Sequence, residues 1–384
     1  MKIALYIGRG IAAPFIVRSS GEAFQKSGHE IQFVPIREEK QEISPLLRDF
    51  SPDLVIALDH TGIHDEEFAK AGVFYCTWFV DHPYYYVDKD NINDFHLAAV
   101  TDSSFMAPLA KIGCSRVVYC PLAYDPTLFR LAPRDTEPEM DISYVGSFSN
   151  LPDHFRQDRL KQFHPFFNVI VEEALSIKKA HPQMPLFETL LETEKNLKTD
   201  FLKNFSAAQI GAMIYLMDIE KDATHKMQMV KTFASEKLTI YGNENWQILL
   251  DKGSVFSFKG GAVYDRGLSD IYKRTKVNLI VTRPQLANGV NQRVFDIAAV
   301  RGFFLCDERE GLKEIFPSVW EKIRYRNFDE MKEKADYFLS HEKERKEIAR
   351  ELHHSIAENH TYEKRMSNLL DGLNNFMRKK KSPE

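Results

Sequence analysis

The nine residues from 288 to 296, Asn-Gly-Val-Asn-Gln-Arg-Val-Phe-Asp, put a glycine, a helix-capping residue and a cation into one short stretch. Apolar segments at 277–281 and 302–306 flank them, so the order reads strand, glycine-containing loop, helix, strand. A loop of this kind delivers a helix whose unpaired N–H groups and dipole attract a diphosphate. Arg293, in the first turn, can add a charge-assisted bond to phosphate oxygens. Asp296, about a turn further on, can accept hydrogen bonds from ribose hydroxyls. Asn288, Gly289, Asn291, Arg293 and Asp296 are therefore candidate nucleotide-binding residues. On spacing alone the run is equally an ordinary strand-helix-strand unit with Asn291 as the helix cap.

Two acid-imidazole pairs, Asp59-His60 and Asp81-His82, each follow an apolar strand. In a parallel sheet such residues emerge at the carboxyl edge, where α/β proteins place their chemistry. A carboxylate or imidazole there can deprotonate a hydroxyl, which makes Asp81, His82 and His60 the candidate bases. Trp78 and Tyr84, Tyr85 and Tyr86 lie close by in sequence and offer flat apolar faces suited to sugar rings. The alternative is that the aspartates cap the next element and the histidines pack in the core. Gly8-Arg9-Gly10 after the first strand lets backbone approach a cleft. It lacks the third glycine, and the second strand lacks the ribose-binding acid, that a dinucleotide-dependent oxidoreductase would need. Asp88-Lys89-Asp90 has the form of a metal-chelating triplet but lies in a polar loop after the tyrosines, and no metal is expected.

The elements that must position these residues alternate. Strands are expected at 2–7, 30–35, 54–58, 73–80, 97–100 and 117–119, with helices between them, the pattern of a doubly wound domain over 1–133. A polar, proline-punctuated linker, Ala132-Pro133-Arg134-Asp135 with Glu137-Pro138, closes it. A second α/β domain is expected over 134–358. A strand at 141–145 opens it, a helical insertion follows at about 155–234, strands resume at 237–241, 277–281 and 302–306, and a long charged helix ends it at 328–358. A last helix and a basic tail occupy 359–384.

The 384 residues suit two domains of ordinary size. A formal net charge of -4, with basic residues scattered, gives no field for nucleic acid. No apolar run reaches the roughly 20 residues that span a bilayer, and the first apolar stretch is too short for a secretion signal, so a cytoplasmic protein is expected. The basic cluster Arg378 to Lys381 allows at most weak peripheral contact with anionic lipid. Cys76, Cys114, Cys120 and Cys306 form no C-x-x-C pair and suggest neither zinc nor disulfides.

At these residues the sequence resembles the CgeB-like, spore-maturation-type glycosyltransferases. The match runs through Asn291, Arg293, Phe295, Asp296 and Ala299, then the stretch from Asp307 to Phe316, and His360-Thr361-Tyr362-Glu363-Lys364-Arg365 near the end. Looser matches are Trp78 with Asp81 and Pro83, Pro121-Leu122-Ala123, and Tyr144-Val145-Gly146-Ser147. The resemblance implies a GT-B fold of two facing Rossmann-like domains, with the last helix crossing back to the first. It also implies a nucleoside-diphosphate sugar donor, UDP by default, bound mainly by the second domain with Gly146 at its edge. The acceptor, a glycan or protein hydroxyl, would enter past Gly8, Arg9, Gly10 and Trp78 of the first domain, and no metal cofactor is required. This sequence departs from the pattern in Asp296, where a glutamate is usual, and in Arg301-Gly302, where a glycine and a small residue are usual. Those departures keep two other readings open: a GT-B protein that binds nucleotide or glycan without turnover, and a sugar-nucleotide epimerase.

Overall fold

A computed structural model describes residues 1–36, 43–131, 137–149, 166–234, 237–264 and 266–381, with side chains as far as residue 378. Linker residues 132–136, the start of the expected insertion at 155–165, and the side chains of the basic tail beyond Arg378 lie outside the described residues. The chain divides into two compact units. The first comprises Met1–Leu122, Asp200–Ala212 and Tyr362–Glu384, the second Ala123–Thr199 and Met213–Thr361.

In the first unit, β1 (Lys2–Ile7), β2 (Glu30–Pro35), β3 (Leu54–Leu58), β4 (Phe74–Phe79), β5 (His96–Val100) and β6 (Val117–Tyr119) form one parallel sheet, ordered β2-β1-β3-β4-β5-β6. Strands β3, β4 and β5 are buried at every position, which is why their sequences are continuously apolar rather than alternating. Helices α1 (Ala13–Lys26), α2 (Asp65–Lys70) and α3 (Met106–Lys111) connect the strands. On α1 the buried Ile16, Val17, Ser20, Ala23 and Phe24 recur at helical spacing, and Gly21 leaves room for the Phe33 ring, 2.4 Å from where a Cβ would sit. The C-terminal helix, Tyr362–Lys381, belongs to this unit, as expected of a helix that crosses back. Glu363 pairs with Lys26 of α1 at 2.5 Å, Arg365 donates to the Leu122 carbonyl at 3.3 Å, and Met366, Leu369 and Leu373 are buried.

The second unit holds β7 (Met140–Val145), β8 (Leu238–Tyr241), β9 (Ser257–Phe258), β10 (Thr275–Ile280), β11 (Phe304–Asp307) and β12 (Arg324–Tyr325). They form a parallel sheet ordered β12-β11-β10-β7-β8-β9. Among the described residues the insertion between β7 and β8 is wholly helical: α4 (Phe166–Ala180), α5 (Leu186–Asn196), α6 (Phe201–Asn204) and α7 (Ala207–Thr232). Further along come α8 (Gln247–Asp251), α9 (Arg266–Lys273), α10 (Gln292–Ala299), α11 (Glu310–Ile315), α12 (Trp320–Ile323), α13 (Phe328–Ser340) and α14 (Glu342–Asn359). The last two correct the expectation of a single helix over 328–358. The chain breaks at His341, and the buried Arg345 satisfies the terminal carbonyls of α13 by donating to Phe338 and Leu339.

Both sheets reverse their strand order once. Counting strands within each unit, the first reads 2-1-3-4-5-6 and turns between β1 and β3, while the second reads 6-5-4-1-2-3 and turns between β7 and β10. In open parallel sheets the crevice at such a switch point, at the carboxyl ends of the strands, is where ligands bind. In the first unit the flanking loops carry Gly8, Arg9, Gly10, Asp59 and His60, and in the second they carry Gly146 and the run 282–293.

Candidate functional site

At the switch point of the second unit, Arg293 spans the two central strands. Its guanidinium donates to the Val145 carbonyl at the end of β7 and, at 3.3 Å, to the Val281 carbonyl after β10, and it lies 5.4 Å over the Tyr144 ring. Gly146 makes this possible, because a Cβ there would lie 2.8 Å from Nη1 of Arg293 and 2.6 Å from the Tyr144 hydroxyl. The loop after β7 is also drawn tight from the other side: Trp246 donates its indole N–H to the Gly146 carbonyl at 2.8 Å, and the Gly146 amide bonds the Tyr241 carbonyl. The half-buried Arg293 therefore sits in the crevice itself, fixed in place by backbone oxygens.

Loop 282–291 is rigidly supported. Asp307, at the end of β11, accepts from the Thr282 amide at 2.9 Å and pairs with Arg309. Arg309, only 7% exposed, donates to the carbonyls of Leu286 and Ala287 at 2.7 and 3.1 Å. The Gly311 amide bonds the Asn288 carbonyl at 2.8 Å. The Asp307-x-Arg309-x-Gly311 part of the family-like stretch is thus the clamp on this loop. A second clamp comes from the insertion: fully buried Asp218 of α7 accepts from the Gln285 amide at 2.9 Å and pairs with Arg283. Two turns on, Lys226 pairs with Asp222 at 2.5 Å and donates to the Ser147 carbonyl at 2.7 Å, so one helix braces both crevice loops. The sequence reading assigned α7 no part in the site. Its signal was the Asp218, Asp222, Lys226 spacing of four, which places all three on one face.

Asn291 caps α10 as the structural alternative foresaw, accepting from the Arg293 amide at 3.1 Å. Its Nδ2 and the Oε1 of Gln292 are buried and have no hydrogen-bond partner among the described residues. Such atoms are costly unless something else meets them. Asp296 corrects the expectation of an acid open to ribose. It is 2% exposed, with one oxygen taking the Tyr264 hydroxyl at 2.9 Å and the other the Gln292 amide at 2.8 Å. Burial pushes its pKa up to about 7, against the pull of those two hydrogen bonds. Every residue of α10 from Val294 to Ala299 is buried, so the acid one turn past Arg293 lies inside the unit.

The first unit's carboxyl edge holds the acid pair. Asp59 and His60 leave β3 in consecutive left-handed conformations, φ 48° and 58°, which non-glycine residues rarely adopt. This turns the Asp59 carboxylate onto the amides of Val80 and Asp81, at 2.8 and 3.0 Å. Burial first, and the neighbouring charge of Asp81 second, push Asp59 up to about 7. The half-buried Asp81 accepts from the Tyr86 hydroxyl at 3.1 Å. His60 is engaged on both ring nitrogens, with Thr77 at 2.8 Å and Asp65 at 3.1 Å. Two expectations need correction here. His82 is 2% exposed among Tyr84, Tyr85 and Phe105, where burial lowers its pKa to about 3. Trp78 is also 2% exposed, its indole N–H spent on the Cys120 carbonyl, so it offers no open face. Trp78 is buried because β4 is covered on both faces, and His82 because it caps the turn Pro83–Tyr85 among aromatic rings.

Gly8 is buried and sits close under Ala13, while Arg9 and Gly10 are exposed and Gly10 takes φ 106°. Helix α1 begins there with no side-chain cap. Asp88 caps a short 3-10 turn, accepting from the Asp90 amide at 2.8 Å, which gives the D-x-D triplet a local structural use. Among the described residues no group of three or more His, Cys, Asp or Glu side chains is disposed to hold a metal ion. No helix among them is long and apolar enough to cross a membrane.

Residues 224–371 match the sequence model of a family described as glycosyl transferase-like. No curated protein matches the sequence. Among solved structures the chain is similar to AviGT4, a glycosyltransferase involved in avilamycin A biosynthesis, at 14% identity over 98% of both chains with a TM-score of 0.57. It is similar to a glycosyltransferase of Rickettsia africae, at 9% identity over 98% of both chains with a TM-score of 0.56. It is also similar to the T4 phage β-glucosyltransferase in complex with its UDP-glucose substrate, at 12% identity over 98% of this chain and 99% of that one, TM-score 0.55. The same phage enzyme has been solved with UDP and Mn2+. At these identities the likeness shows the fold: two parallel six-stranded sheets with flanking helices, as in GT-B glycosyltransferases. The family match and the fold together support a glycosyltransferase enzyme.

Proposed function

We propose that the protein transfers a sugar from a UDP-sugar to a hydroxyl group on a glycan or protein acceptor, in the manner of the spore-maturation-type enzymes its motifs resemble. The observation that carries this reading is Arg293 fixed at the β7/β10 switch point beside Gly146, at the start of α10. In the proposed reaction the acceptor oxygen bonds the anomeric carbon, the bond from that carbon to the β-phosphate oxygen breaks, and the electron pair leaves with UDP. Arg293 meets the charge that develops on the departing diphosphate, a preorganised role that costs no reorganisation during reaction. The unpartnered Asn291 Nδ2 is a donor available to the same ligand. The acceptor's proton passes to a general base, a task for which the first unit's Asp59–Asp81 pair is a candidate by its chemistry. A base whose pKa lies near 7 suits this task.

The proposal assigns the diphosphate's charge to the protein rather than to a divalent ion, so activity should survive dialysis against EDTA. The test is product analysis after incubation with UDP-glucose, with and without a panel of glycan, protein and DNA acceptors. Sugar transferred to a glycan or protein supports the reading. An altered donor sugar in the absence of any acceptor points to epimerisation, and tight UDP binding with no turnover on any acceptor points to a binding protein.

A further inference from the structure

We propose that the second unit carries a phosphoryl-binding site separate from the crevice, in the basic cavity at the amino edge of its sheet. The cavity, of about 110 Å3, is lined by Lys273 at the end of α9, Lys276 at the start of β10, Arg301 before β11, and Arg345, Lys346 and Arg350 on α14. It opens where β10 begins, whereas loop 282–291 follows the end of that strand. Six residues of strand, roughly 20 Å, separate the two.

Among the described residues the charge there is unbalanced. Asp141 takes Lys276 at 2.7 Å and Glu342 takes Lys346 at 2.6 Å, while Lys273, Arg301 and Arg350 have no ion-pair partner among the described residues. Arg345 is 4% exposed and donates to the α13 carbonyls; the charges of Glu342 and Asp141 reach it, but both carboxylates are already paired with lysines. Like charges gathered in a concave, partly desolvated place repel one another unless an anion joins them, and they focus field on that place. Guanidinium groups in particular suit the planar, multidentate recognition of phosphoryl oxygens.

The backbone gives an independent indication. Arg301 ends α10 in the left-handed conformation, φ 56°, closing a Schellman motif in which its amide bonds Ala298 and the Gly302 amide bonds Ile297. Glycine adopts that conformation without steric cost, and glycine is the usual residue there. This chain holds an arginine in a strained position with its side chain on the cavity wall, the kind of outlier that accompanies ligand contacts. The chemistry fits a phosphate or phosphomonoester, whether free in solution or displayed by a lipid headgroup.

The test is calorimetric titration of the full chain with inorganic phosphate at constant ionic strength and with saturating UDP present. Sedimentation with phosphatidylcholine vesicles, with and without phosphatidic acid, runs in parallel. The double variant Lys273→Gln/Arg350→Gln changes two solvent-accessible side chains and should keep the wild-type melting temperature. Should it unfold, the exposed Arg301→Gln replaces it. Phosphate binding that weakens at least tenfold in the variant supports a site for the free anion. Sedimentation that requires phosphatidic acid and is lost in the variant supports the lipid form. Binding of neither probe, or binding that the variant leaves unchanged, overturns the proposal. Because the crevice and its UDP are untouched by these substitutions, failure here is distinguishable from failure of the proposed function.

Discussion

A methyl group added to Gly146 would lie 2.8 Å from Nη1 of Arg293, so the empty side of this glycine is what lets the arginine reach the Val145 carbonyl. The other neighbour, the Tyr144 hydroxyl, would stand at 2.6 Å and is itself packed against Trp246. Gly146→Ala must therefore displace a guanidinium or an aromatic ring. Overpacking of this kind costs about 1–3 kcal/mol. The expected outcome is a lower urea midpoint together with weaker UDP binding, read by denaturation and calorimetry on the same preparation. Wild-type values in both would mean that the glycine is not a steric requirement.

Asp296 makes the stability of the protein depend on pH with a defined sign. Its carboxyl titrates at about 7 in the folded chain against an ordinary 3.8, because it is buried. The folded state therefore holds the proton more tightly than the unfolded one. The favourable contribution is complete below about pH 4 and is lost as pH rises towards 7. Asp296→Asn removes this dependence, so its stability relative to wild type should grow by a few kcal/mol between pH 4 and pH 7. Denaturation curves at pH 4, 5.5 and 7 check it, and a constant difference would contradict it.

The Asp59–Asp81 pair should show its coupling directly. Burial is the larger cause of the raised Asp59 value and the Asp81 charge the second. Asp81→Asn removes the like charge, so the Asp59 midpoint should fall below about 7 while staying above the ordinary carboxylate value. Carboxyl 13C chemical shifts followed over pH measure it. If Asp59 is the base, kcat/KM in the wild type should rise as pH passes through about 7, since the charged form is the active one.

The architecture was legible because its signals are local. Continuous apolar runs read as covered parallel strands, helical spacing marked α1, and the lack of strand patterns marked the insertion. The run 288–296 was legible for the same reason, down to the Asn291 cap. Burial by distant neighbours was not. Trp78 near the end of β4 and His82 just after it stand where site residues would, but the Cys120 carbonyl takes the Trp78 indole and the rings of Tyr84, Tyr85 and Phe105 enclose His82. Asp296 is taken up inside by the hydroxyl of Tyr264, 32 residues away. Backbone strain leaves no mark in composition either, so neither the left-handed turn at Asp59-His60 nor the one at Arg301 could be read before the fold was known. The role of α7 depends on Asp218 meeting an amide 67 positions away.

In the proposed function the diphosphate of a UDP-sugar binds at the β7/β10 switch point against Arg293. Calorimetric titration of UDP into the wild type and into Arg293→Gln measures it most directly, with the melting temperature of each protein recorded alongside. Saturable one-to-one binding to the wild type, weakened at least tenfold in a variant that remains folded, is expected; loss of one charge-assisted contact is worth about 1.5–3 kcal/mol. UDP that fails to bind the wild type, or binds the folded variant equally well, would contradict it.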